Sequence, residues 1–394
     1  MSGKSQPSLP DGTEPLRVVP VEGRRARDAF IRMPRGVYAE DPAWVPPLVL
    51  ERREHLSNRN PFFKHATVRC WLAQRGARPV GRISAQIDQL HLERYQDATG
   101  FFGMLEAEDD PDVFAALFAV AEDWLRDQGM RRVRGPFSLS INDECGLLVE
   151  GFESPPQIMM GHARPYYAPR VEAQGYEGVK DLLAYIVDSD FPAPKMLSTV
   201  MTRTSGRVQV RAMRKDRFSE DLEIIRDIFA DAWSENWGFV PFTPEEIHHL
   251  GKSLKLFVDL NLAQIAEVDG IPAAMAVAFP NLNEAIRDLD GRLLPLGWVK
   301  LLWRLKVRHP RSARVPLMGV RRQFHGTTIG AALALLLMDE VRRHGRPKGI
   351  REVEMSWILE ENKRVRRIIE VIGGRVYKRY RIYEKGLTQQ GGAW

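Results

Sequence analysis

The feature that most constrains this chain is that it says the same thing twice. An alternating strand pattern, Leu16 to Val21 (LRVVPV), leads into a helical stretch that ends in Ala43 to Pro47 (AWVPP). Much later, Arg207 to Met213 (RVQVRAM) leads into a helical stretch that ends in Trp237 to Phe242 (WGFVPF). Each half then gives two strands around a turn, Trp71–Ile87 and Ala263–Phe279, with Gly or Pro in the turn to supply its backbone angles. A strand, a loop and an amphipathic helix follow in each, the helices reading as Pro111–Arg126 and Thr328–Arg343. In the second helix Ile329, Ala332, Leu333, Leu336 and Leu337 share one face, and Gly345 with Pro347 stops it. Each half closes with a strand (Arg131–Phe137, Arg351–Trp357), a short helix, a Gly and a last strand. The spacing predicts an α/β chain with α+β mixed sheets, built as two units from an internal duplication. The expected divisions are a tail 1–15, a first unit 16–190, a linker 191–206 opening on FPAPK, and a second unit 207–394.

Composition narrows the function without choosing it. The longest clear apolar run, Ala331 to Met338, falls far short of the roughly 20 residues that span a bilayer. The first residues are polar and Pro-rich and lack the apolar core of a signal peptide, so a cytoplasmic protein is expected. With only two cysteines, Cys70 and Cys145, a disulfide framework and a Cys-rich zinc site are excluded, and no metal is expected. A net charge of +6 suits an anionic ligand or surface. Nucleic acid is not expected as a partner, because no recognised binding motif accompanies the charge.

The two halves differ at one loop. The second reads MGVRRQFHGTTIGAAL, Met318 to Leu333: a strand, a tight polar loop, and the start of an apolar helix. Free N–H groups and the positive dipole end of a helix suit a diphosphate there. Small residues allow close approach, Thr327 and Thr328 add hydroxyls, and Arg321 and Arg322 add charge just before the loop. The matching loop of the first half, Glu106 to Asp112 (EAEDDPD), has no Gly and is densely acidic, so it repels a diphosphate.

The element order resembles that of the GNAT acyltransferase fold, whose signature is Arg/Gln-x-x-Gly-x-Gly/Ala. Here that position reads His325, Gly326, Thr327, Thr328, Ile329, Gly330, with His325 in place of Arg or Gln and Thr328 in place of a Gly. The resemblance implies coenzyme A bound as a thioester co-substrate, with no permanently held cofactor. Its contacts are expected at Met318, Val320, Arg321, Arg322, the loop 325–330, Ala331 and Asn362, with a backbone amide at or near Val320 receiving the oxyanion. The helical position where such enzymes often carry an acid Tyr is Ile369 here. Three further stretches, Phe101–Phe114, Arg134–Pro156 and His162–Tyr167 (HARPYY), make the chain similar to the bacterial ceramide synthase family, from about Leu16 to Lys385. That likeness implies acylation of the amine of a sphingoid base, or its 3-oxo form, by a fatty acyl-CoA or acyl-carrier protein.

Candidate catalytic groups cluster in SINDECG. Asp143 or Glu144 is a candidate base, with His162 as rival and Tyr166 and Tyr167 as candidate proton donors. Asp143 and Glu144 read equally as turn residues and His162 as a structural histidine. Leu293 to Arg311 groups Trp298, Leu301, Leu302 and Leu305 at helical spacing beside Lys300, Arg304, Lys306 and Arg308. It reads either as a helix lying in an anionic membrane interface or as one packed on the protein. An aminoacyl transferase of the peptidoglycan-bridge type and a non-catalytic acyl-CoA- or membrane-binding protein stay open as alternatives.

Overall fold

The computed structural model describes residues 14–191, 206–254 and 259–388. Nearly all of the expected tail 1–15 and linker 191–206 lies outside the described residues. The first half begins β1 (Leu16–Pro20), α1 (Gly23–Arg32), α2 (Pro34–Val37) and α3 (Val49–His55). It continues β2 (Ala66–Arg75), β3 (Arg78–Asp88), α4 (Gln89–Tyr95), β4 (Thr99–Ala107), α5 (Pro111–Asp127) and β5 (Arg132–Gly135). After the short strands β6 (Phe137–Ser138), β7 (Glu144–Cys145) and β8 (Leu147–Glu150) come α6 (Tyr167–Glu172) and β9 (Glu177–Asp188). The second half runs β10 (Val208–Ala212), α7 (Phe218–Trp233), α8 (Pro244–Leu254), β11 (Ala263–Val268) and β12 (Ile271–Pro280). Then follow α9 (Leu282–Ile286), α10 (Gly297–Trp303), β13 (Ser312–Val320), α11 (Thr328–Gly345), β14 (Glu352–Leu359), α12 (Lys363–Val371) and β15 (Arg375–Gly386).

Local chemistry sets the long helices at matching points. Asp110 caps α5 by accepting from the amide of Asp112, with Pro111 at the first position; Thr327 caps α11 by accepting from Gly330. In α5 Val113, Phe114, Leu117, Phe118, Ala121 and Leu125 recur at helical spacing and are buried. In α11 burial extends beyond one face, through Ala332 to Met338, because the helix lies between two apolar clusters. Leu333 and Leu337 meet the strands, and Leu335, Leu336 and Met338 meet α12 and β9.

The sequence pattern assigns each half its own last strand. The structure exchanges them. One sheet of 13 strands runs β1-β2-β3-β4-β5-β15-β9-β14-β13-β12-β11-β10, with β8 also on β15. β15, from the second half, pairs with β5 of the first (Tyr383 opposite Gly135); β9, from the first, pairs with β14 of the second (Val187 opposite Val353). Side chains of β9 alternate accordingly, Leu182 and Ala184 entering the first-half core and Leu183, Tyr185 and Val187 the second-half core. Separating the halves would strip both partners from these central strands.

A buried polar network fastens the same seam. Arg314 on β13 donates to Ser356 Oγ at 2.7 Å and to the carbonyl of Ile158 at 2.8 Å, reaching into a first-half loop. Glu354 beside it accepts from Ser356 and Tyr377. The charges are matched, so burial is tolerable, and removing one member would strand the other.

Candidate functional site

Each half contains one parallel strand pair that starts together and then parts. β4 and β5 pair only from Thr99 to Phe101, and β13 and β14 only from Ser312 to Val315. Beyond those points β4 and β13 each present an edge without a parallel partner. The two edges can be aligned residue by residue. Glu108 donates its amide to Val80 and Arg321 donates its amide to Ala273, at 3.0 and 2.8 Å. Glu108 and Arg321 are therefore equivalent, and so are Ala107 and Val320. Alternation in an antiparallel ladder turns the amides of Met318 and Val320 away from β12, toward the gap.

In the second half that edge offers donors only. The carbonyl of Met318 accepts from Trp233 Nε1 at 3.1 Å, and the carbonyl of Val320 accepts from His325 Nε2 at 2.7 Å. Side chains thus occupy the acceptors, while the Met318 and Val320 amides face the gap. In the first half the edge is closed. Tyr166 donates to the carbonyl of Ala107 at 2.7 Å, and the Ala107 amide donates to the hydroxyl of Tyr167 at 3.0 Å. Gly103 also lets the chain at Phe137 lie across β4, since a Cβ there would stand 1.7 Å from the Phe137 carbonyl oxygen.

The loop after β13 fits an anionic group. Thr328 and Ile329 open α11, so their amides have no intrahelical acceptor. Gly326 holds a φ of +74°, the left-handed region where Gly is favoured. Sequence reasoning missed Arg364 on α12. Its guanidinium comes within 3.7 Å of where a Cβ on Gly326 would stand, and it forms no ion pair among the described residues. Its only sequence signal was its place just after Asn362, which caps α12 through the Val365 amide.

Several expected contacts have other duties here. Arg321 binds Asp227 and the Pro272 carbonyl, and Arg322 binds Glu235 and Ser234, so both tie the loop to α7 and the turn after it. The Thr327 hydroxyl is used in the cap and on the Phe324 carbonyl. Gly330 is demanded by the loop itself, because a Cβ would stand 2.1 Å from the Phe324 carbonyl oxygen. Ala331 continues the first turn by donating to Thr327. In the first half three acids of the loop are paired with arginines of neighbouring elements: Glu108 with Arg78, Asp109 with Arg170, and Asp110 with Arg75.

The four candidate catalytic residues have three different sets of partners. Asp143 and Glu144 meet α3, where Arg52 and His55 stand one turn apart on one face. Arg52 lies 2.8 Å from Glu144, and His55 Nε2 lies 3.8 Å from Asp143. Burial alone would raise the Asp143 carboxyl, but His55 and Ser140 hold it below its usual value. His55 Nδ1 is buried with no hydrogen-bond partner. His55 escaped the sequence reading because nothing local links it to a residue nearly ninety positions on. His162 lies 3.0 Å from Asp41, and burial lowers its pKa. Tyr166 closes the first-half edge. Cys145 is buried, which pushes its thiol well up and leaves it unsuited to nucleophilic attack.

The Asp143–His55 pair and the open edge are linked by packing. Trp233, bonded to Met318, meets Trp357 with ring centroids 5.5 Å apart. Trp357 packs in turn on the first-half core that contains Ile141, Cys145 and Val240. The stretch Trp233–Phe242 thus belongs to the packing between the halves, with Asn142 donating to the Val240 carbonyl at 3.0 Å.

Solved structures share this fold. A tandem GNAT protein from the clavulanic acid biosynthesis pathway, without AcCoA, has a TM-score of 0.58 at 14% identity, covering 96% of this chain and 100% of its own. A GCN5-related N-acetyltransferase from Sphaerobacter thermophilus has a TM-score of 0.53 at 14% identity, covering 97% and 98%. The chain has the tandem GNAT fold. No protein-family model matches it. Protein YghO of Escherichia coli (strain K12) is 49% identical over 358 residues, 91% of this chain and 92% of that protein. A bacterial ceramide synthase of Caulobacter vibrioides (strain NA1000 / CB15N) is 47% identical over 376 residues, 94% and 98%. On that likeness the chain belongs to the bacterial ceramide synthase family.

Proposed function

We propose that this acyltransferase moves a long fatty acyl group from a coenzyme A thioester, or from acyl-carrier protein, to the amine of a sphingoid base. The product is a dihydroceramide or 3-oxo-ceramide. The observation that carries the donor side is the β13 edge, whose amides at Met318 and Val320 face the gap while its carbonyls are taken. An edge with donors only suits the thioester carbonyl as negative charge develops on its oxygen. Gly326, the free amides at Thr328 and Ile329, and Arg364 suit the diphosphate. The relative named a bacterial ceramide synthase supports the acceptor.

The reaction forms a C–N bond and breaks the C–S bond. The attacking amine must be neutral, and its proton must go to a base. We assign that base to His55 Nδ1. A carboxylate accepts only, so Asp143 favours the proton on Nε2 and leaves the Nδ1 lone pair free to take the amine's proton. At 3.8 Å the pair is an electrostatic contact that substrate binding would shorten. The departing thiolate takes that proton from the imidazolium, directly or through water, and leaves as the free thiol.

The test is to incubate the purified protein with long-chain acyl-CoA and sphinganine or 3-oxo-sphinganine and to seek the amide by mass spectrometry. Amide formation that falls about 10²–10⁴-fold in kcat for His55→Gln, with the fold intact, is expected. No amide with any acyl length or either amine would overturn the reading. A product that required aminoacyl-tRNA would move the chain to the peptidoglycan-bridge class instead.

A further inference from the structure

The insertion between β12 and β13 is apolar on two sides. Leu301 and Leu305 point inward and pack with Val45, Ala285, Ile286 and Leu289, as in the reading of a helix packed on the protein. A different set faces out: Leu294, Leu296, Trp298, Val299, Trp303 and Val307, each between 45% and 77% exposed. These are six of the eleven exposed large apolar side chains among the described residues. A helical segment apolar on both faces is at home with protein on one side and lipid on the other.

Beside this ridge lies a cavity of about 710 Å³ lined by Arg308, Arg311 and Arg351, with Arg287 and Arg304 at its wall. The guanidinium groups of Arg308, Arg311 and Arg351 have no carboxylate partner among the described residues. The acids at the wall are already engaged. Glu284 accepts from the amides of Arg311 and Ser312, and Asp288 is bound by Lys300 and Arg304. Residues 284–311 carry seven Lys and Arg against three acids.

The position separates this cavity from the acyl-donor site. It borders the first residues of β13, while the 321–327 loop follows the last, a strand length of about 27 Å away. A coenzyme diphosphate held at the 321–327 loop would not reach it.

We propose that this face docks on an anionic phospholipid bilayer, with the ridge in the interface and a lipid phosphate in the arginine cavity. Trp298 and Trp303 suit the headgroup level, and unpaired arginines suit a phosphate. The proposal rests on the reading that the acceptor is a membrane lipid amine, and it gives that acceptor a surface from which to enter.

The test mixes the full-length protein with vesicles of phosphatidylcholine alone or with added phosphatidylglycerol. Sedimentation with the anionic vesicles is expected, reduced about tenfold or more by Arg308→Glu with Arg351→Glu. Brominated phosphatidylglycerol should quench the tryptophan fluorescence, and Trp298→Phe with Trp303→Phe should abolish that quenching. The milder Arg308→Ser with Arg351→Ser serves if the charge reversal unfolds the chain. Equal vesicle binding by the wild type and the arginine variants, or no quenching, would overturn the proposal. So would loss of binding to an acidic acyl-carrier protein, rather than to vesicles, in those variants. Amide formation on detergent-dispersed substrate is expected to stay within about twofold in every variant. An inactive wild type that still binds anionic vesicles would count against the sphingoid reading alone.

Discussion

Tyr166 donates its hydroxyl hydrogen to the carbonyl of Ala107 at 2.7 Å, and with Tyr167 it fills both hydrogen-bonding positions of that residue. The equivalent residue in the second half, Val320, has its carbonyl bonded to His325 and its amide turned to the gap. One duplicated strand end has thus become a sealed edge and the other a row of donors. The acidic loop after Ala107 and the Gly-bearing loop after Val320 carry the same division into charge.

The two edges should respond oppositely to proline. Val320→Pro removes an amide that no strand partner uses, at a strand position whose neighbour is already extended. Its kcat for amide formation is expected to fall about 10²–10³-fold with little change in melting temperature. Ala107→Pro breaks the bond to Tyr167 in a buried setting and should cost about 1–3 kcal/mol of stability, read by urea unfolding, while kcat holds. A Val320→Pro enzyme of full activity would remove the β13 edge from the chemistry.

The phosphate loop offers a second contrast. Arg364→Glu should weaken coenzyme A binding by about tenfold or more in calorimetric titration and flatten its salt dependence, since an exposed charge beside the loop is reversed. Gly326→Asp should act the same way, adding to the charge change a strained left-handed backbone. Gly330→Ala is different in kind. Its methyl meets the Phe324 carbonyl oxygen, so it should lower the melting temperature as well as the affinity. Unchanged affinity in a folded Arg364→Glu variant would show that the diphosphate does not lie here.

Element order and type were legible in the sequence because they rest on local signals. The helix expected from Pro111 to Arg126 ends one residue later, at Asp127, and the one expected from Thr328 to Arg343 ends at Gly345. The exchange of β9 and β15 was not legible. Both strands alternate as any sheet strand does, and which edge each joins depends on three-dimensional closure. The same limit hid His55 and Arg364, which act through residues far away in the chain or on the next helix. Helical spacing also left two readings of the insertion open. Leu301 and Leu305 share a stripe with Trp298, but only packing against Val45 decides which side of a doubly apolar helix faces inward.

His65 joins the two halves by charge. It lies 2.9 Å from Asp88 at the end of β3 and 3.2 Å from Glu246 on α8. Burial alone would lower its pKa, but the hydrogen bonds and charges of the two carboxylates raise it to about 9. In the unfolded chain it titrates near about 6.5. A folded pKa above the unfolded one stabilises the fold fully below about 6.5, and that contribution is lost as the pH climbs through about 9. His65→Gln should therefore lower the melting temperature clearly at pH values near 6. The gap from wild type should shrink steadily toward pH 10, where the wild-type imidazole is also neutral. Melting curves at several pH values check this. A gap that did not change with pH would mean that His65 stabilises the seam by packing on Phe62, whose ring lies 5.2 Å away, and not by its charge.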